Sequence, residues 1–139
     1  MEGRVMSVDY GTKRVGVAIA DPLRLFAQPV GTFPPNEALD VLAQVQQEDG
    51  VEVVVIGWPL ETDGSLGKMT KLVGEYINRI KKRLPGVEIV RMDERNTSER
   101  AKELIRGGMR PSLRSTGRER IDTAAAGLLL QEYLDEQRI

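Results

Sequence analysis

Three stretches of this sequence place carboxylates where secondary structure should stop. Asp9 closes the apolar run Val5-Met6-Ser7-Val8, Asp93-Glu94 follows Val87-Glu88-Ile89-Val90-Arg91-Met92, and Asp122 stands just before Ala124 and Ala125 at the opening of a helix. A carboxylate at a strand end is held by rigid backbone yet faces the open end of a sheet, where α/β domains usually place their chemistry. If Asp9, Glu94 and Asp122 converge, with Asp93 as the alternative donor beside Glu94, they form an all-oxygen cage that suits Mg²⁺ or Mn²⁺ and is poor for zinc. Two such ions about 4 Å apart would clamp a scissile phosphate, one activating water and the other stabilising the leaving oxygen. Three crowded acids repel one another without cations, so metal binding should be coupled to stability. Taken singly, each acid has a plainer reading. Asp9 serves as a turn former, Asp122 as a charge favoured near a helix N-terminus, and Asp93-Glu94 as the solvated end of an edge strand.

Composition narrows the chemistry further. The 139 residues contain no cysteine and no histidine. Thiolate nucleophiles, disulfides, histidine bases, histidine-ligated metals and Ser-His-Asp triads are thereby excluded, leaving carboxylates, lysines, hydroxyls and bound cations. The length suits one domain spanning 1–139, with no internal repeat or linker. Met1-Glu2-Gly3-Arg4 lacks a signal layout and no apolar run reaches membrane-spanning length, so a cytoplasmic protein without membrane attachment is expected. The formal charge of -1 argues against a uniformly basic coat, but it hides local clustering.

That clustering lies between residues 106 and 120, where Arg106, Arg110, Arg114, Arg118 and Arg120 stand against the single acid Glu119. Arginine forks grip phosphate bidentately at any working pH, so this stretch reads as a glycine-softened loop contacting a nucleic-acid backbone beside the acids. Lys13, Arg14 and Arg95 would add to that surface; the plainer reading is a solvated basic loop. Trp58 at the exit of Val51-Glu52-Val53-Val54-Val55-Ile56-Gly57 is either a lid on the core or a stacking platform for an unpaired base, and Tyr10 carries the same ambiguity. Asp63-Gly64-Ser65 reads as a turn and cap before a helix, with anion binding as the lesser alternative.

The elements that must position these residues follow from period and punctuation. Two β-branched runs around Gly11-Thr12-Lys13-Arg14 predict a hairpin, and residues 25–33 a third strand whose Pro29 belongs on a sheet edge. Asn36 is the expected N-cap of a helix carrying Ala38, Leu39, Val41, Leu42 and Val45, closed by Asp49-Gly50. Val51 to Gly57 reads as a central strand buried on both faces, and Met69 to Leu84 as the clearest amphipathic helix. Residues 87–92 read as an edge strand. Asn96 and Glu99 resemble a capping box for a helix ending at Gly107-Gly108; a loop follows to about Gly117, and a last helix carries Asp122 in or near its first turn. The sum is a layered α/β domain.

Asp9-Tyr10-Gly11-Thr12-Lys13-Arg14-Val15-Gly16-Val17-Ala18, Gly57-Trp58-Pro59-Leu60 with Asp63-Gly64, Asp93-Glu94-Arg95, and Asp122-Thr123-Ala124-Ala125 occur in the order and rough spacing of the YqgF, or RuvX, family, and the resemblance spans essentially the whole chain. It implies a ribonuclease H-like fold related to RuvC Holliday-junction resolvases, with a five-stranded mixed sheet, second strand antiparallel, flanked by helices. It also implies a divalent-metal nuclease whose acids fall at Asp9, Glu94 and Asp122. Trp58 replaces an aliphatic residue common in the family, and Arg120 stands where a lysine is frequent, so phosphate contact rather than a detailed role is carried over to Arg120.

The expected activity is metal-dependent endonucleolytic cleavage of structured RNA in 5′-end maturation of pre-16S rRNA, with ribosomal precursor particles as partners. The alternative is a Holliday junction resolvase acting on branched DNA, which would require a homodimer because two cuts are needed. A non-catalytic nucleic-acid-binding factor is the second alternative. An actin-like kinase, suggested by Asp-x-Gly-Thr, needs two lobes that one short domain does not supply.

Overall fold

A computed structural model describes residues 3–59, 67–93 and 117–137, with the backbone alone over 117–123. Five strands, β1 (Arg4–Tyr10), β2 (Val15–Ala20), β3 (Ala27–Phe33), β4 (Val51–Trp58) and β5 (Glu88–Asp93), form one sheet in the order β3-β2-β1-β4-β5. β1, β4 and β5 are parallel, and β2 runs antiparallel to both of its neighbours. The carboxyl ends of β1, β4 and β5 therefore share one edge with the β1–β2 turn and the end of β3.

Side-chain alternation sorts the sheet into two faces. Met6, Val8, Val17, Val54 and Ile56 pack with helices α1 (Pro35–Glu48) and α2 (Lys68–Arg83), while Val5, Ala18, Val53 and Val55 pack with α3 (Gly117–Gln137). β4 is buried on both faces and β5 is an edge, as its alternation predicts. Pro29 also lies on an edge strand, where its missing N–H costs no ladder bond to a further strand.

Two expectations need correction. Asn36 is not the N-cap of α1: Pro34 is, with Pro35 at the first helical position, where its fixed φ and absent N–H suit the helix start. Asn36 instead accepts a hydrogen bond from Arg79 through its side-chain oxygen. α3 begins at Gly117, where the preceding loop is expected to end, but Arg118 and Arg120, read with the basic loop, sit on helical backbone. Arginine and glutamate are good helix formers, and the run Arg118-Glu119-Arg120 extends the helix by a turn. The expected capping box at Asn96 and Glu99, its helix, and Asp63-Gly64-Ser65 lie outside the described residues.

α1 ends where Gly50 adopts φ +79 and donates to the Val45 and Gln46 carbonyls, a left-handed cap that glycine accepts without strain. α3 buries Ala124, Ala125, Ala126, Leu129, Leu130 and Leu134. Its alanines let the helix backbone come close to the sheet, which sets up the site. Among the described residues no helix is long and apolar enough to cross a membrane.

Candidate active site

Asp9 is the next-to-last residue of β1, partly exposed, beside Gly16 of β2. Val5, Ser7 and Asp9 alternate onto the α3 face, whereas Met6, Val8 and Tyr10 join the cluster under α1 and α2. Ser7 has no exposure, and its Oγ donates to the Ala126 carbonyl at 2.7 Å. That bond fixes the height of α3 against β1. The direction of α3 is set at its other end, where Gln131 accepts from the Ala27 amide at 2.9 Å and donates to the Leu25 carbonyl at 3.1 Å. Ala27 pairs with Ala20, whose carbonyl accepts from Arg4 at the start of β1. α3 thus runs opposite to β1. From Ser7 to Asp9 is about 6.6 Å along the strand. From Ala126 back to the turn bearing Asp122 is about 6 Å along the helix, on the same helical face.

β5 offers two adjacent acids, and the register separates them. Trp58 pairs with Asp93, and both follow the phase of Ile56 and Ile89 on the α1–α2 face. Val90 and Met92 pack on the α3 face that Asp9 occupies. Asp93 therefore lies on the opposite face from Asp9. Glu94 lies outside the described residues, as do Arg95, Arg106, Arg110 and Arg114, and so do the side chains of Arg118, Arg120 and Asp122.

Lys13 and Arg14 occupy the β1–β2 turn and, with Thr32, Phe33 and Pro34, line a hollow of about 300 Å³ on the edge that carries Asp9. The turn is tight because the Gly11 amide donates to the Arg14 carbonyl at 2.9 Å. On the α1–α2 face of the same edge, the Tyr10 and Tyr76 ring centroids lie 4.7 Å apart. The Tyr76 hydroxyl donates to the Pro35 carbonyl, and its pKa is raised chiefly by burial, so it stays protonated. Arg91 lies over the Trp58 ring, 4.4 Å from its centroid. Ser7 and Arg91 went unnoticed in the sequence. Ser7 carried a signal, as the one polar residue inside an apolar strand and in phase with Asp9. Arg91 carried none, because its neighbour is set by strand register.

A family model described as RuvX, Holliday junction resolvase, matches residues 3–136. The chain belongs to the RuvX family. RuvX relatives carry a common name, "Putative pre-16S rRNA nuclease". One from Salinibacter ruber is 51% identical over 136 residues, covering 96% of this chain and 94% of its own. Another, from Chlorobaculum tepidum, is 39% identical over 132 residues, covering 95% and 93%. Among solved structures, Thermus thermophilus RuvC in complex with a Holliday junction substrate superposes with a TM-score of 0.60 at 13% identity, over 99% of this chain and 96% of that one. This RuvX chain thus has the ribonuclease H-like fold of RuvC, as the resemblance implied.

Proposed function

We propose that this protein is a divalent-metal-dependent endonuclease that acts in 5′-end maturation of pre-16S rRNA in the cytoplasm. The observation that supports the site is the Ser7–Ala126 hydrogen bond, which ties α3, one turn after Asp122, to β1, two residues before Asp9. The printed names of the RuvX relatives carry the substrate.

The donor chemistry fits Mg²⁺ or Mn²⁺. Asp9 offers carboxylate oxygens near a strand end, Asp122 lies one helical turn before Ala126, and the chain has neither cysteine nor histidine. Asp9, Glu94 and Asp122 would hold the cations, with Glu94 preferred to Asp93 because Asp93 lies on the face away from Asp9. Bound there, the metals supply Lewis-acid polarisation of the phosphodiester and a water acidified toward neutral pH. Lys13 and Arg14 contribute phosphate contacts from the neighbouring turn, and Arg95, Arg106, Arg110, Arg114, Arg118 and Arg120 complete the basic surface.

A junction resolvase is the second reading, favoured by the description of the matching family and by the RuvC fold. It needs two sites facing one substrate, hence a dimer.

The test is cleavage of a labelled panel comprising a precursor rRNA 5′ region, a four-way DNA junction and single strands, in Mg²⁺, Mn²⁺ or EDTA, with Asp9→Asn beside wild type. Metal-dependent cutting of the precursor RNA, abolished by Asp9→Asn, is the expected result. Preference for the junction together with a dimer by light scattering selects the resolvase. Binding without any cutting in wild type replaces the enzyme with a nucleic-acid-binding factor.

A further inference from the structure

We propose that Trp58 and Arg91 form a stacking site for an unpaired nucleotide of the substrate strand. The inference deepens the nucleic-acid reading above and rests on it.

Trp58 is the only tryptophan and the last residue of β4, the strand between β1 and β5. Its indole is half-buried, with part of its surface packed against the α1–α2 core. Arg91 is exposed and reaches over the ring, its guanidinium carbon 4.4 Å from the centroid. Register explains the approach. Arg91 pairs with Ile56 and Asp93 with Trp58, so Arg91 is a diagonal same-face neighbour of Trp58 across parallel strands.

A core lid needs only apolar contact, and an aliphatic residue would serve. This arrangement instead presents a partly exposed indole and a planar cation at the carboxyl end of the sheet. Both stack on bases, and the cation also meets the backbone charge that accompanies them. Arg91 is exposed, and a solvated cation over a ring is held weakly, so an arriving base can sandwich with the guanidinium or displace it from the ring. A paired duplex keeps its base faces stacked on one another, and the site therefore selects a single-stranded, bulged or terminal nucleotide.

Its place gives it a role in choosing the cut. Val8 pairs with Ile56, which sets Asp9 level with Gly57 and one residue short of Trp58 on the adjacent strand. Strands lie about 4.8 Å apart. A base held by Trp58 therefore puts its own strand within a few nucleotides of the acids on the other face of the same edge.

The sole tryptophan reports directly. Its emission would be followed in EDTA, which stops cleavage, while a labelled uridine-rich single strand or a blunt RNA duplex of equal length is titrated to saturation by anisotropy. Expected are quenching by the single strand alone, about tenfold weaker single-strand binding in Trp58→Leu, and intermediate weakening in Arg91→Ala, with duplex affinity unchanged. Trp58→Phe keeps an aromatic face and should restore most of the single-strand affinity. Unchanged Trp58 emission at saturation overturns the inference whatever the variants do, so a misfolded Trp58→Leu leaves it decidable. Quenching without cutting in Mg²⁺ would remove the nuclease and keep the stacking site. Cutting with a silent tryptophan would do the reverse.

Discussion

The Ser7 hydroxyl, fully buried in β1, donates to the carbonyl of Ala126 in α3 at 2.7 Å across 119 positions of sequence. The partner carbonyl lies within a helix and keeps its helical bond when the hydroxyl is removed, so Ser7→Ala leaves no orphaned acceptor. The loss should be about 1 kcal/mol, a fall in Tm of about 3 °C. The bond also sets the height of the Asp122 turn against Asp9. Ser7→Ala should therefore raise the Mn²⁺ concentration for half-maximal cleavage several-fold, and Ser7→Leu should raise it further by pushing α3 outward. An unchanged Mn²⁺ requirement in both would reduce the bond to packing.

Metal and fold should be coupled. Cations that bind only the native acid set stabilise it by mass action, about 2.7 kcal/mol at a hundredfold excess over Kd. Wild type should melt higher in Mn²⁺ than in EDTA. Asp9→Asn should lose most of that increment, because it removes one charge and one ligand. Calorimetric melts of both proteins in both buffers give the comparison without reference to cleavage.

Gly11 is held by close approach. A Cβ there would stand 2.8 Å from the carbonyl oxygen of Arg14, which the Gly11 amide already engages. Backbone cannot rotate away as a side chain can, so Gly11→Ala must reshape the turn, at a cost of about 1–3 kcal/mol. Lys13 and Arg14 move with it. Anisotropy with a labelled RNA should show weaker binding and a shallower salt dependence than wild type.

Much of this scaffold is written locally. The β-branched run of β4, the helical stripe of α2 and the proline on β3 each report their surroundings through period or backbone chemistry, and each is found where that chemistry puts it. Local signals fail where neighbours compete. Asn36 is a good cap by type, but the two prolines before it start the helix earlier. Arg118 and Arg120 read as loop by charge, whereas their helix propensity placed them in α3. The Asp93-Glu94 ambiguity had no local answer, since only the pairing of Trp58 with Asp93 assigns Asp93 its face. Ser7 and Ala126 meet through the fold alone.

Asp21 makes stability depend on pH. Its carboxylate accepts from the Phe26 amide at 2.6 Å, Leu25 at 2.9 Å and Leu23 at 3.0 Å, closing the β2–β3 connection. These bonds, Phe26 foremost, hold its pKa below the usual 3.8. A depressed folded-state pKa adds stability that is fully present above the unfolded value and is lost as pH falls through the folded one. Asp21→Asn should be less stable than wild type at neutral pH, and the gap should close below about pH 3.8. Denaturant melts of the pair at pH 7, 5 and 3 follow that gap directly.

The sheet register makes the sharpest claim about the acids. Asp93 shares the face of Trp58 and Ile89, away from Asp9, while Met92 lies on Asp9's side. Neutralising Asp93 should leave the metal site intact, so Asp93→Asn should keep cleavage within about threefold and retain the Mn²⁺ dependence. Losing an outer partner of a ligand typically costs about 10–100-fold, so losing a ligand should cost more. Glu94→Gln should therefore fall by more than about 100-fold in Mn²⁺-dependent cleavage. If Asp93→Asn is the dead variant and Glu94→Gln the active one, the assignment by face is wrong and the strand must turn before it delivers its acid.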